Sequence, residues 1–450
     1  MSQLNVVKRD NNPDQVYYDV TISNFQSSNT LPPVFYYNES RTLPFINCPE
    51  DYYLSIIRFS VDTGTLPVWI PSIVPNQGNP DLTIYNITLT YSVGGNDYTS
   101  GPTPLIWIPQ DQSTLPPPPP PNQTSNGLQN NTTGYYNTYS YQYIALLITE
   151  TYKNALTALT TAVLAGGDTM PTYDVWSGGA VYTIQAEDFP PLFQWDTSSD
   201  TGSIFTIPQY DLNPDVNPAL SGNEPIKMYW NAPLFYLFNS FPVTINGYSL
   251  LGGNENFQIG VVNQGGLNTS LITPPQVDTI ATGVAPISIP YISTYQETST
   301  IANISPVSAI VFTSNTMPIT PNQVSTPLVL NNNQQLGFQG NNSDFANIVT
   351  DLVSESGAYR PFLVYQPSAQ YRLITLNGNR PLFNLDLQIF YRLVNGSLVP
   401  FRLASGGTVT IKIAFLKKNA EGAYNDKGTI GQNMPTMTAE GASKGGRRNK

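Results

Sequence analysis

Hydrophobic and polar positions alternate with a period of two through much of this chain. Val16, Tyr18, Val20 and Ile22 stand between polar or half-polar neighbours and predict a first strand. A longer strand is predicted over Tyr52–Val61, with Tyr53, Ile57, Phe59 and Val61 on one face. Leu82–Val93, Leu105–Ile108, Val181–Ile184, Phe193–Trp195 and Ile204–Ile207 follow. A last series runs through Val307–Phe312, Ile348–Val353, Phe362–Tyr365, Tyr371–Leu376, Phe383–Tyr391, Leu398–Leu403 and Val409–Phe415. In this series Leu385, Leu387, Ile389 and Tyr391 face one way, and Asn384, Asp386, Gln388 and Phe390 the other. Asn395-Gly396 predicts a two-residue type I′ hairpin turn, in which both residues take positive φ. A lone hairpin is marginal in water, so these strands need an opposing layer, and a two-sheet sandwich supplies one.

The period changes to that of a long helix in one place. From Ser140 to Ala165, Ile144, Leu147, Ile148, Thr151, Ala155, Leu159, Ala162 and Val163 share a face. Ser140 is the expected N-cap and Gly166-Gly167 the stop. Glu150 and Lys153 argue for packing on a sheet rather than in a membrane, and no apolar run reaches the roughly 18 residues of a membrane span. Ile226–Phe241 reads as a strand that turns at Asn231 into a short apolar helix, and residues 250–300 read as loops. Two similar phrases, Val68-Trp69-Ile70-Pro71 and Ile106-Trp107-Ile108-Pro109, suggest a structural corner used twice. Pro116–Pro121 begins a Pro-rich loop, 115–134. It lacks the flanking Arg or Lys of an SH3 ligand and reads as a surface loop.

Composition narrows the function. Only 11% of residues are charged, while 40 Pro, 33 Gly and 28 Tyr suit turns and strands over helices. There is no histidine, which excludes a Ser-His-Asp triad, a Cys-His pair and any His-containing zinc site. Cys48 is alone and reads as a small buried apolar group. No phosphate-binding glycine loop follows a strand, and the acidic pairs Glu50-Asp51 and Glu187-Asp188 are scattered. We therefore expect no catalytic residue, no cofactor and no metal. Arg360, Arg372, Arg380, Arg392 and Arg402 recur through the last strands, as expected of sheet edges and subunit contacts. The net charge of −11 is uneven. Residues 417–450 hold seven Lys and Arg against three acids, so the body is acidic and the tail basic. The segment MSQLNVVKRDNN lacks the apolar core of a signal peptide, which suggests a protein made and used in cytosol.

Two stretches resemble a known family. One is AIVFTSNTMPI, Ala309–Ile319. The other is the run from Ile348 to Leu416, containing RPFLVYQPSAQYRLITL and PLFNLDLQIFYRLVNGSLVPFRLASGGTVTIKIAFL. They look like the C-terminal half of the penton and minor capsid proteins of virophages and Polinton-like viruses. Tyr135–Leu156 and YWNAPLFYLFNSF resemble the middle of those proteins more loosely. The resemblance implies an all-β jelly-roll sandwich with an additional β-rich insertion domain and the one amphipathic helix. It implies a structural protein of an icosahedral capsid at the fivefold vertex or another minor position. The partners implied are sibling copies in a homopentamer, a major capsid protein and packaged DNA, and the location is the virion, assembled in host cytoplasm or a viral factory. A virion spike or fibre that recognises the host is the other reading.

The chain is divided accordingly. Residues 1–14 are expected to be a flexible arm, 15–300 an N-terminal β module carrying the helix near 140–165, 301–416 a C-terminal β module, and 417–450 a flexible basic tail. A single jelly roll made from both ends, with the middle inserted, is the other division. Within the tail Lys444, Arg447, Arg448 and Lys450 are the residues expected to face nucleic acid.

Overall fold

In the computed structural model the described residues are 13–26, 32–110, 116–122, 129–177, 180–213, 224–251, 255–262, 269–272, 289–324, 344–353, 362–365 and 372–418. The chain forms two compact units. One takes residues 1–66 together with 307–450, and the other takes 67–306.

Among the described residues, eight strands of four or more residues frame the first unit: β1 (Gln15–Ser23), β2 (Tyr36–Ser40), β3 (Tyr52–Asp62), β4 (Val307–Thr313), β5 (Ile348–Leu352), β6 (Phe362–Tyr365), β7 (Asn384–Leu393) and β8 (Thr408–Lys417). The shorter Ile374–Thr375 pairs with β3 and Leu398–Pro400 with β7. One sheet has the order β1-β8-β3-β6 and the other β2-β7-β4-β5, with antiparallel pairing throughout. Among these eight strands, every connection except β4 to β5 therefore carries the chain from one sheet to the other. That winding is a jelly roll.

The alternation on the strands explains the two layers. Val409, Ile411, Ile413 and Phe415 of β8 are buried, as are Leu385, Leu387, Ile389 and Tyr391 of β7. Phe59 of β3 meets Phe312 of β4 edge to face at 5.2 Å between ring centres, so the two sheets touch across one core. Each such side chain contributes roughly 1.5–3 kcal/mol when fully buried, which is what an isolated hairpin lacks.

Four expectations change. The sequential split at residue 300 fails, because β1 pairs with β8 along its whole length, from Gln15 with Leu416 to Ser23 with Thr408. The first strands complete the last ones, and the middle of the chain is the insertion. In β3 the register against β8 shifts between Arg58 and Ile56, which leaves Ile57 as an extra residue. Leu54 and Ile56 are buried before this bulge and Phe59 and Val61 after it, so Tyr53 and Ile57 do not share the face of Phe59. The hairpin turn holds three residues, not two. Gly396 N–H bonds to the Leu393 carbonyl, Leu393 N–H bonds to the Ser397 carbonyl, and only Gly396 has positive φ, at 87°. This is a type I turn closed by a glycine bulge, with Asn395 turned to accept from the Ser397 N–H at 3.0 Å. Finally, the tail is anchored where it begins. β8 runs to Lys417, and Lys418 donates from its backbone N–H to the Asp51 carbonyl.

The second unit has its own core. A six-stranded sheet contains Leu82–Val93 and Lys227–Trp230, and a four-stranded sheet has Leu192–Asp196 at one edge. Between 250 and 300, where loops were expected, lie the strands Glu255–Ile259, Thr269–Ile272 and Tyr291–Tyr295. Helix α1 (Tyr141–Ala165) buries Ile144, Leu147, Ile148, Thr151, Ala155, Leu159 and Val163 as its periodicity predicts, and Gly166 ends it. Asn231 caps the short helix α2 (Ala232–Leu237) by accepting from the Leu234 N–H. Trp69 and Trp107, from the two similar phrases, pack edge to face at 6.1 Å.

Candidate functional site

The residues with possible chemistry are dispersed. Among the described residues no group of His, Cys, Asp and Glu could hold a metal ion. Cys48 is half-buried and carries a free thiol. The acidic pairs each sit in a separate short 3-10 turn, Pro49–Asp51 and Ala186–Asp188. Arg372 and Arg392 flank a single carboxylate, Asp351 at the end of β5, so they neutralise an acid of their own chain. Arg402 donates to the Pro32 carbonyl at 2.8 Å, while Arg380 is exposed. Lys444, Arg447, Arg448, Lys450 and Arg360 lie outside the described residues, as do residues 1–12 of the arm. Among the described residues no helix is long and apolar enough to cross a membrane.

What the first unit does offer is a pair of strand edges on one side that pair with no further strand among the described residues. β1 and β2 end their respective sheets. Their inward residues meet between the layers, but they are not apolar. The Tyr18 hydroxyl lies 2.6 Å from that of Tyr37, and both donate to Glu39. Arg41 binds the same carboxylate at 2.6 Å and lays its guanidinium over the rings of Tyr18 and Phe45, at 4.7 and 4.3 Å. Hydrogen bonds from Tyr18, Tyr37 and Arg41 hold the Glu39 carboxyl down at about 2. Burial, reinforced by the nearby carboxylate, pushes the Tyr37 hydroxyl up. An inward-pointing charge at a sheet edge is a device against uncontrolled strand addition. Here it leaves a polar, tyrosine-lined margin in place of an open apolar seam. The sequence showed the alternation of both strands but not this cluster. Its members belong to two strands and the loop after the second, and nothing local marks them as neighbours.

The outer face of the β1 sheet is polar along β1, while Ala414 and Leu416 of β8 form a small apolar cluster with Ile57 and Leu373. Asp19 lies between Arg58 and Lys412, at 3.8 and 3.7 Å, and Lys412 stands over the exposed ring of Tyr17. Such exposed pairs contribute little to stability, on the order of 0–1 kcal/mol each. At the far end of β7, Asp386 is fully buried on the face that alternation assigned to polar residues. It accepts from the Ser314 hydroxyl at 2.6 Å, the Thr316 hydroxyl at 2.7 Å and the N–H groups of Asn315 and Thr316. Burial alone would raise its pKa. The hydrogen bonds from Ser314, Thr316 and the two amides outweigh burial and hold it below the usual carboxylate value. The loop Ser314–Met317 is thus tied to β7 by one carboxylate, and this loop lies within the first stretch that resembled capsid proteins.

These features describe a scaffold with two closed cores, polar faces and guarded edges. The chain is 33% identical over 93 residues to uncharacterized protein V18 of Sputnik virophage, across 20% of this chain and 55% of that one. It is 27% identical over 198 residues to structural protein V19 of the same virophage, across 43% of this chain and 83% of that one. The chain thus spans about half the length of V18 and most of V19. Among solved structures, a chain of the 3.5 Å cryo-EM structure of Sputnik virophage superposes with a TM-score of 0.66 at 24% identity, covering 90% of this chain and 98% of that one. The mavirus penton protein superposes with a TM-score of 0.51 at 13% identity, covering 90% of this chain and all of the penton chain. A family model matches residues 16–417, from β1 to the end of β8, and the chain belongs to the Sputnik minor capsid protein V18/19 family.

Proposed function

We propose that this viral minor capsid protein is the penton, five copies closing a fivefold vertex of an icosahedral virion. The observation that carries the reading is the jelly roll itself. Its two sheets close on one core and leave free edges and polar faces for neighbours, and the same fold is found over the whole of the mavirus penton chain. A cyclic assembly of identical copies uses two different patches per subunit, and the two sides of a sandwich provide them. The acidic body and basic tail support a location between a protein shell and packaged DNA, with Lys444, Arg447, Arg448 and Lys450 as the DNA-facing charges and a major capsid protein as the lateral neighbour. In this reading the protein belongs to the virion, assembles in host cytoplasm or a viral factory, and performs no catalytic step.

Native mass spectrometry of the purified protein, with cryo-EM of particles, tests the proposal. A five-copy ring and density for this chain at the fivefold axes are expected. A stable trimer projecting from the particle and binding host glycans would overturn it in favour of a spike.

A further inference from the structure

Pro116–Pro121 takes no part in either core sheet, and the assembly reading does not use it. Six prolines in a row leave little conformational choice. Each ring fixes φ near −65°, and each proline pushes the residue before it to an extended ψ. The run is therefore a left-handed polyproline II helix with three residues per turn. The least exposed residue lies on one ridge of that helix. Pro118 is buried. Pro121, three positions on, is half-buried, and its carbonyl accepts the Asn76 N–H at 3.1 Å. Pro116, Pro117 and Pro119 are exposed and Pro120 is half-buried. The ridge 118/121 lies against the protein, the ridge 116/119 faces outward, and the ridge 117/120 is exposed at Pro117 and half-covered at Pro120.

The outward side offers proline ring faces and carbonyl acceptors and no N–H donor, so it cannot extend a sheet. Rings and carbonyls of a prepaid polyproline helix are what aromatic-lined recognition grooves bind. The charge around the run restricts the groove further. From residue 59 to residue 152 the chain contains no Lys or Arg, so a groove that depends on a basic anchor beside the prolines has nothing to hold.

We propose that Pro116–Pro121 is a docking ligand for a partner protein whose aromatic-lined groove reads polyproline without a charged anchor. The docked ridge presents the other two at fixed orientation, which lowers the ordering cost of binding.

The test immobilises the full-length protein and measures binding of three isolated domains: WW, EVH1 and SH3. Saturable binding of the WW or EVH1 domain is expected, displaced by a synthetic peptide of residues 114–122. A variant with Pro116→Ala, Pro117→Ala, Pro119→Ala and Pro120→Ala keeps Pro118 and Pro121 and should weaken that binding at least tenfold. An unchanged melting temperature in this variant would show that the loss is local. Absence of binding by both domains overturns the proposal, and so does binding that survives the four substitutions. Tighter binding of the SH3 domain would overturn the uncharged-anchor assignment. Should the variant fail to fold, the peptide decides the question on the unaltered protein: a peptide that does not compete places the contact elsewhere.

Discussion

At the scale of single residues, Asp386 is the most informative side chain of the sandwich. Alternation along β7 assigned it to the polar side, and so it is, but it is buried under a loop that it holds in place. Asp386→Asn replaces an acceptor of four hydrogen bonds by a group that must also donate. The expected loss is about 2 kcal/mol, the range for hydrogen bonds to a charged group, read from denaturant unfolding. The pH dependence has a definite sign. The folded pKa is depressed, so this carboxylate stabilises the fold at pH values above its unfolded pKa, near 4. That contribution fades as pH falls below 4 through the folded value. The variant should therefore show a shallower loss of stability with acid than the unaltered protein. Parallel acid profiles would show that the carboxylate does not carry charge in the fold. Gly396 is the second telling residue. Its φ of 87° suits glycine and resists a β-branched side chain. Gly396→Val should lower stability by about 1 kcal/mol or more, visible as a lower melting temperature. An unaltered melting temperature would mean that the turn is not held in this conformation.

At the scale of elements, side-chain periodicity located strands and helix well and their partners poorly. Leu82–Val93 and Phe362–Tyr365 have the bounds that alternation predicted. The buried face of α1 contains nearly every residue that helical spacing selected. Periodicity reports which way a side chain faces. It carries no information about which strand lies alongside, and so the pairing of β1 with β8, across nearly the whole chain, was beyond it. The bulge at Ile57 escaped for a related reason: an extra residue shifts the phase of alternation, and a single run of mixed apolar residues reads equally well in either phase. The strands between 250 and 300 are only four or five residues long and carry one or two clearly alternating positions each, too weakly patterned to stand out. The protection of a sheet edge by α1 was equally hidden. Leu192–Asp196 ends its sheet, and the Thr149 hydroxyl accepts from the Phe193 N–H at 3.0 Å and lies 3.2 Å from its carbonyl. Gln142 donates to the Trp195 carbonyl two residues on. The helix thus occupies hydrogen-bonding groups that another strand would otherwise seek. Thr149→Val keeps the shape and removes both contacts. We expect a loss of about 1–3 kcal/mol, with faster hydrogen exchange at the Phe193 amide. Unchanged exchange at that amide would mean that the helix does not guard the edge.

At the scale of the whole molecule, the chain is one sandwich interrupted by a second unit, and each unit has its own means of cohesion. Among the described residues, the large buried core around α1 is built from side chains of the inserted unit, from Trp69 to Ile304. A core that closes on itself predicts a fragment that folds by itself. The distribution of tryptophan makes this easy to read. All five tryptophans, Trp69, Trp107, Trp176, Trp195 and Trp230, lie in residues 67–306. Intrinsic tryptophan fluorescence therefore reports on the inserted unit alone, whereas far-ultraviolet circular dichroism sees the strands of both. Residues 67–306 expressed alone should show a cooperative thermal transition by fluorescence. Its blue-shifted emission should match that of the full chain, because Trp69, Trp107 and Trp230 are almost completely shielded from water by residues of the same unit. In the full chain, the fluorescence and dichroism transitions should separate wherever the two units differ in stability. Red-shifted emission from the fragment, with no transition on heating, would mean that the inserted core is held together from outside. The jelly roll would then be a clamp on the middle of the chain, not a frame through which an independent unit has been threaded.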